Sequence, residues 1–227
     1  MKIWTLLDTA QVPGDGGELR LLQRDTEFAI KLGRDELMSS RFRGSEEALA
    51  RLGCAKIGAH ERPRVLIGGL GMGFTLRAAL GLLGAKAEVV VAELVPAVVA
   101  WARGPLAELY GGSLTDARVT IREGDVGRLI RKEPSAYDAI LLDVDNGPEG
   151  LTRQANDGLY TLEGLSAAWN ALRPGGVLAV WSAAPDKMFT QRLRRAGFSV
   201  DEVVVRANGN RGARHIVWIA IRANRHA

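Results

Sequence analysis

The sequence has few of the residues that build disulfides and metal centres. Cys54 is the single cysteine among 227 residues, so no disulfide can form within the chain. Cys54 lies in a helical pattern, where we expect it to be packed and not nucleophilic. The three histidines, His60, His215 and His226, are far apart and lack the spacing of a metal site. These scarcities predict no metal and favour a reducing compartment, the cytoplasm.

Long hydrophobic runs are also missing. The apolar run at the amino terminus, MKIWTLLD, ends at Asp8 and is too short for the core of a signal peptide. The longest apolar stretch, VVVAELVPAVVAWA, is interrupted by Glu93 and Pro96. We therefore expect no membrane span.

Neither sign of charge dominates. Lysine and arginine total 30 against 26 acidic residues, a net charge of +4. The basic residues are scattered, and the short cluster Arg192, Arg194 and Arg195 is explained by a solvated helix face. We therefore expect no nucleic-acid partner. Hydrophobic residues make up 47% of the chain, enough for a sizeable core.

Turn signals divide the first 44 residues into short strands. Residues 3–7, 18–23 and 27–32 are strand-like, and Arg24-Asp25-Thr26 connects the last two as a hairpin. From Ser45 the segment SEEALARLG has a serine cap followed by strong helix formers. We predict a small β-hairpin appendage over 1–44 and a core domain over 45–227.

After Pro63 strands alternate with helices. Five buried strand patterns, RVLIG, AEVVVAE, RVTIREGD, YDAILLD and VLAVWSA, are separated by segments with helical spacing. Two further strands, FSVDEVVVRA and HIVWIAIRA, close the chain as a hairpin. This order predicts an α/β fold with a doubly wound, mostly parallel, seven-stranded sheet. The terminal hairpin is typical of class I methyltransferase-like folds and not of dinucleotide-binding dehydrogenases.

A glycine loop lies between the first core strand and its helix. It reads Gly69-Leu70-Gly71-Met72-Gly73, and its glycines allow a sharp turn and a close approach to a ligand. The G-x-G-x-G spacing differs from the G-x-G-x-x-G of dinucleotide sites, which disfavours a nicotinamide cofactor. A turn packed tightly for structural reasons is the alternative.

Two carboxylates end the next two strands. Glu93 ends the second, where it can accept hydrogen bonds from both ribose hydroxyls of a nucleoside. An exposed strand-end glutamate is the alternative. Asp125 ends the third strand, where it can accept from the adenine amine, cap the next helix, or do both. The neighbours of these residues, Leu94, Gly124 and Val126, complete the predicted nucleoside site.

Asp143 ends the fourth strand, where the loop DVDNGPEG begins. If the first and fourth strands are neighbours, Asp143 faces the same crevice as the glycine loop. Asp145 and Asn146 follow closely and are turn formers; both are also included among the predicted substrate-binding residues. Trp181, at the end of the fifth strand, is positioned to border the site.

Together these segments resemble the spermidine synthase (polyamine aminopropyltransferase) family over about residues 18 to 205. The family's V-L-I-x-G-G-G-D-G-G-x-L-R is matched by RVLIGGLGMGFTLR from Arg64 to Arg77. Its Y-D-x-I-x-x-D-S-x-D-P is matched by YDAILLDVDNGP from Tyr137 to Pro148. Its acidic residue after the second strand matches Glu93, and its G-D after the third matches Asp125 with the preceding glycine. RPGGVLAVW, later in the chain, resembles the wider methyltransferase-like superfamily.

The resemblance implies transfer of an aminopropyl group from decarboxylated S-adenosylmethionine to a small-molecule amine. By position, Asp143 is then the residue that takes the proton of the nucleophile. The resemblance also implies a homodimer that associates near the appendage.

The chain departs from the family at two acidic positions. Met72 replaces the aspartate that helps to hold the donor amine, and Asn146 replaces one that helps to bind the acceptor. ELMSSRFRG stands where the family has a Tyr-Gln pair. A neutral Met72 removes repulsion against a donor carboxylate, which tilts the expectation from the decarboxylated donor toward S-adenosylmethionine itself.

The resulting prediction is a spermidine synthase-like transferase that moves an alkyl group, methyl or aminopropyl, from S-adenosylmethionine or its decarboxylated form to a small amine. Two alternatives stay open. One is a general methyltransferase acting on RNA, protein or a metabolite. The other is a non-catalytic module that binds a nucleoside.

Overall fold

The computed structural model describes residues 3–14, 16–57, 59–144, 158–209 and 211–223. Its first part is an antiparallel sheet of four strands in chain order. The strands are β1 (Thr5–Gln11), β2 (Glu18–Arg24), β3 (Glu27–Leu32) and β4 (Asp35–Ser39). The turn between β2 and β3 places Asp25 at φ 56°, in the left-handed region that aspartate tolerates better than most residues. β4 extends this sheet beyond the strands that the sequence predicts.

The second sheet has seven strands in the order β10-β11-β9-β8-β5-β6-β7. The strands are β5 (Arg64–Gly68), β6 (Glu88–Glu93), β7 (Val119–Glu123), β8 (Tyr137–Leu142), β9 (Leu172–Ser182), β10 (Phe198–Asn208) and β11 (Arg211–Arg222). β5 to β9 are mutually parallel, whereas the β10–β11 hairpin is antiparallel and joins the sheet through β9. This confirms the predicted doubly wound sheet, its terminal hairpin and the small antiparallel sheet that precedes it.

Helices connect the strands of this sheet. They are α1 (Gly44–Cys54), α2 (Phe74–Leu82), α3 (Pro96–Arg103), α4 (Ala107–Tyr110), α5 (Val126–Lys132), α6 (Leu162–Ala171) and α7 (Lys187–Arg195), with a 3-10 turn at Ser113–Thr115. The side chains of Asp125, Thr161 and Asp186 cap α5, α6 and α7 by accepting backbone N–H groups.

The predicted cap of α1 was wrong. The N-cap residue is Arg43, which makes no side-chain cap, and Ser45 lies inside the first turn. Its hydroxyl donates to the Glu46 carboxylate at 2.7 Å instead of accepting a backbone N–H. Among the described residues no helix is long and apolar enough to cross a membrane.

The two sheets share a hydrophobic core. Leu21 and Ile30 of the first sheet belong to the same buried cluster as Val65 and Ile67 of β5. A polar contact also joins them, because the indole Nε1 of Trp101 in α3 donates to Asp8 of β1 at 2.7 Å. The first sheet is therefore packed over one end of the second.

Candidate active site

The site lies where the strand order reverses. β5 is followed by β6 on one side, and β8, which comes later in the chain, pairs with β5 on the other. The backbone N–H of Asp143 donates to the carbonyl of Gly68 at 2.9 Å, which places the ends of these two strands side by side. The predicted adjacency is confirmed, and ligands of doubly wound sheets bind in such a crevice.

The glycine loop needs its glycines. Gly69 has φ 90°, and a Cβ there would overlap the backbone carbonyl of Asp143. Gly73 has φ 79°, and a Cβ there would overlap the ring of Tyr110. The Tyr110 hydroxyl donates to the carbonyl of Gly71 at 2.6 Å. The loop is therefore held close to the end of β8 by positions that admit no side chain.

Glu93 ends β6 and is only 8% exposed. Its Oε2 accepts from the backbone N–H of Leu70 at 2.9 Å, and its Oε1 accepts from that of Val95 at 2.8 Å. Burial raises the pKa of this carboxyl, while the backbone hydrogen bonds act in the opposite direction. These contacts fix the carboxylate at the edge of the sheet, beside the glycine loop.

Asp125 is the N-cap of α5. Its Oδ1 accepts from the backbone N–H of Arg128 at 2.7 Å, so the helix-cap role foreseen for it is present. Gly124 donates its N–H to the carbonyl of Glu93 at 2.7 Å, which brings the ends of β6 and β7 together. Asp125 and Glu93 thus stand beside each other at the same edge of the sheet.

Asp143 has a neighbour that the sequence did not reveal. Its Oδ2 accepts from the Thr75 hydroxyl at 2.6 Å, and the same hydroxyl lies 3.4 Å from the carbonyl of Glu46. Burial raises the pKa of the Asp143 carboxyl, and the Thr75 hydrogen bond opposes this. Burial and the charge of Asp143 both raise the pKa of Glu46. Glu46 is assigned no role from the sequence, because SEEALARLG consists of ordinary helix formers.

A cleft that is open to solvent joins these groups. Its lining contains four carboxylates and, within the described ranges, no lysine, arginine or histidine. The first sheet supplies the lining residues Val12, Leu19, Ile30, Leu32, Leu37 and Met38. The second sheet and its helices supply Glu46, Gly69, Gly71, Ala92, Glu93, Leu94, Val95, Val98, Gly124, Asp125, Val126, Asp143, Val144 and Trp181. The cleft is an apolar slot with acidic groups and suits a cation with apolar parts.

Most of the predicted site residues therefore converge on one cleft, and three do not line it. Leu70 and Met72 are 4% and 2% exposed and belong to the hydrophobic core, while Gly73 lies beneath the Tyr110 ring. The loop turns the side chain of Met72 inward, into the hydrophobic core, so Met72 does not line the cleft in which a donor carboxylate would lie. Asp145 and Asn146 lie outside the described residues.

Sequence comparisons connect the chain to polyamine aminopropyltransferases. No protein-family profile matches it. Polyamine aminopropyltransferase 2 of Pseudomonas aeruginosa is 35% identical over 127 residues, which are 54% of this chain and 34% of that protein. The enzyme of the same name from Hyperthermus butylicus is 33% identical over 128 residues, 56% of this chain and 41% of that protein. The chain thus spans well under half the length of these relatives.

Structural comparisons identify the fold. Spermidine synthase from Thermotoga maritima superposes with a TM-score of 0.73 at 18% identity, covering 96% of this chain and 72% of that one. A spermidine synthase in complex with the transition state analogue AdoDATO gives the same TM-score and coverage at 19% identity. At these identities the superpositions establish the fold.

The fold and the carboxyl-end cleft define a protein with the class I methyltransferase-like fold. Within that class the chain is similar in sequence to polyamine aminopropyltransferases over just over half of its length, and it shares its fold with spermidine synthases over nearly its whole length.

Proposed function

We propose that the chain is a transferase that moves an alkyl group, most readily aminopropyl, from an S-adenosyl sulfonium to a small amine. One observation carries the proposal: four carboxylates and no basic side chain line the described part of a cleft beside the glycine loop. The donor sulfonium and the protonated acceptor are both cations, and their desolvation is offset only where anionic groups surround them.

The nucleoside part of the donor fits the edge formed by β5, β6 and β7. Glu93 would accept from the ribose hydroxyls, and Asp125, whose cap of α5 uses Oδ1, would accept from the adenine amine through Oδ2. Gly69 and Gly71 would let the chain attached to sulfur pass close to the backbone. Val126 and Leu94 line the same region and would contact the base.

The charge of the cleft favours the decarboxylated donor. S-adenosylmethionine and its decarboxylated form differ in one carboxylate, which needs a cationic or N–H partner when it is buried. The described lining has no side-chain cation to offer, whereas the free amine of either donor finds carboxylates. The lining of the cleft therefore favours the decarboxylated donor, whereas the substitution at Met72 alone favoured S-adenosylmethionine.

Asp143 would accept the proton of the attacking amine. It lies at the end of β8 against the glycine loop, and its raised pKa makes it a better base than an exposed aspartate. A sulfonium is already a good leaving group. The protein therefore needs mainly to align the amine nitrogen with the carbon on sulfur and to remove one proton.

An assay of the purified protein with both donors and a panel of primary amines tests the proposal. We expect alkylated amine from decarboxylated S-adenosylmethionine, detected by mass spectrometry, and a roughly 100-fold or greater loss of kcat in Asp143→Asn. Glu61→Gln, a surface change that removes an exposed ion pair with Lys86, is the control. It should leave turnover within about twofold, because an exposed pair contributes little.

Other results would support the alternatives. Transfer from S-adenosylmethionine alone would make the chain a methyltransferase and contradict the aminopropyl proposal. Nucleoside binding without turnover from either donor, or an Asp143→Asn variant as active as the original, would favour a non-catalytic nucleoside-binding module.

We further propose a cytoplasmic homodimer in which residues 1–44 form the appendage to the core. The sole cysteine, Cys54, is buried, which suits a reducing compartment. β1 is an edge strand of the first sheet and exposes 52% of Leu6 and 39% of Leu7. Apolar residues on an exposed edge favour pairing with a second copy. Light scattering would show a monomer if this part of the proposal is wrong.

A further inference from the structure

We propose that Glu46 is an acceptor-binding residue, which acts with Asp143 as a carboxylate pair that takes up the ammonium group of the amine acceptor. The proposal rests on the function proposed above and adds to it a residue from α1, outside the strand ends that carry the other predicted groups. Glu46 would make the site selective for cationic amines over neutral or acidic acceptors.

The geometry brings the two carboxylates to one place. Glu46 lies in the first turn of α1 and Asp143 at the end of β8, and both line the cleft. Thr75, the second residue of α2, connects Asp143 to the backbone of Glu46: its hydroxyl donates to Asp143 Oδ2 at 2.6 Å and lies 3.4 Å from the backbone carbonyl of Glu46. Ser45 donates to Glu46 Oε2 at 2.7 Å, which fixes the side chain.

The charges around Glu46 are of one sign. Burial raises its pKa, and the negative charges of Asp143 and, more weakly, of Glu47 raise it further, while the Ser45 hydroxyl lowers it. Glu47 is exposed and within 3.3 Å of Arg43, so that ion pair lies on the outer side of the helix. The cleft itself offers the pair no side-chain cation within the described ranges. Two close, partly buried carboxylates cannot both ionise without cost, and they tend to share a proton.

An alkylammonium ion removes this cost. When it enters, the pair loses its shared proton to solvent and the two carboxylates hold the cation through charge-assisted hydrogen bonds. For reaction, the ammonium passes one proton to the pair and becomes the free amine. Its lone pair forms the new N–C bond, the C–S bond breaks with its electrons going to sulfur, and the product leaves as a secondary ammonium and a neutral thioether.

The test compares Glu46→Gln with Glu47→Gln, a matched control on the exposed side of the same turn. The probe is 1,4-diaminobutane, titrated by calorimetry into protein saturated with 5′-methylthioadenosine, at pH 6 to 9 and in buffers of different ionisation enthalpy. We expect Glu46→Gln to weaken diamine binding by about 10- to 100-fold, the range for a lost charge-assisted hydrogen bond. Glu47→Gln should change it by less than about twofold.

Two further readouts separate binding from structural damage. Diamine binding to the unmodified protein should release a proton, and this release should be lost in Glu46→Gln, whereas 5′-methylthioadenosine should bind both equally. In steady-state assays the acceptor KM should rise and the donor KM stay unchanged. Glu46→Asp, which keeps the charge, should recover part of the diamine affinity.

The results that would overturn the role of Glu46 differ from those that would overturn the transferase function. Unaltered diamine binding and proton release in Glu46→Gln, or an equal loss in Glu47→Gln, would overturn the role of Glu46 even if the enzyme turns over. No detectable diamine binding to the unmodified protein would also overturn it. Conversely, absence of turnover with either donor, together with Glu46-dependent diamine binding, would defeat the transferase and leave the amine site standing.

Discussion

At the scale of single residues, the carboxylate pair of Glu46 and Asp143 links stability to pH. Because both folded-state pKa values are raised, the folded protein holds more protons than the unfolded chain above pH 4. The stabilisation is complete below the unfolded pKa values and is lost as pH rises through the folded ones.

We therefore expect Glu46→Gln to be more stable than the unmodified protein at pH 8, by about 1 kcal/mol, and to have no such advantage near pH 4. Urea unfolding at both values measures the difference, with Glu47→Gln as the reference for loss of an exposed charge. A stability gain that is the same at both pH values would show that the pair is not strained by its charge.

The glycine loop gives a second prediction at this scale. Gly69→Ala combines a left-handed φ with overlap of the Asp143 carbonyl, whereas Gly14→Ala has the left-handed φ alone, at 70°, and open space around the new Cβ. We expect Gly69→Ala to cost about 3 kcal/mol and to abolish nucleoside binding, and Gly14→Ala to cost about 1 kcal/mol. Equal losses of stability with intact binding would mean that the loop does not need to approach β8.

The sequence predicted the residues that terminate strands far better than it predicted Glu46. Glu93, Asp125 and Asp143 follow buried strand patterns, and the carboxyl ends of parallel strands meet at one edge, so their convergence could be foreseen. Glu46 lies in a different element, and only the packing of α1 against the sheet brings it to the cleft. Met72 could be aligned with a donor-binding position, but the inward turn of its side chain is a property of the folded loop.

At the scale of elements, α1 is positioned by a glycine. Gly53 faces the sheet, and a Cβ there would overlap the Leu141 side chain and come within 3.1 Å of Ala179 Cβ. This close approach fixes the last turn of α1 against β8 and β9.

Gly53→Ala tests this packing, because helix propensity and the close packing predict changes of opposite sign in the free energy of unfolding. Helix propensity alone predicts about 1 kcal/mol of stabilisation, but overlap in a packed interface should make the variant about 1–3 kcal/mol less stable. Gly81→Ala in α2, where a new Cβ meets nothing within 4 Å, is the control and should be stabilising. A stabilised Gly53→Ala would show that α1 has room to move away from the sheet.

Strands with a long apolar run were predicted well from the sequence, whereas strand β4 and the first residues of β9 were not. The buried strands β5, β6 and β8 have apolar runs that only a covered sheet explains. β4 reads DELMS, with two exposed acidic residues, and forms because it pairs with β3. β9 begins at Leu172, earlier than the pattern VLAVWSA indicates, because tertiary pairing with Tyr137 extends the strand across Pro174.

At the scale of the whole molecule, the first sheet closes the cleft. Its apolar residues form one wall, Met38 lies over Gly71, and Asp8 anchors β1 to Trp101 of α3. The doubly wound sheet supplies the acidic wall opposite. The order of elements predicted both sheets. It did not predict that the sheets face each other across the cleft, because this arrangement depends on packing between residues that are far apart in the chain.

The central claim is that this cleft binds the adenosyl part of a sulfonium donor, and a crystal structure of the protein with 5′-methylthioadenosine tests it most directly. We predict a nucleoside between the two sheets, with both ribose hydroxyls within hydrogen-bonding distance of Glu93 and the adenine amine facing Asp125. A cleft that stays empty at saturating nucleoside, or a nucleoside bound elsewhere on the molecule, would contradict the account.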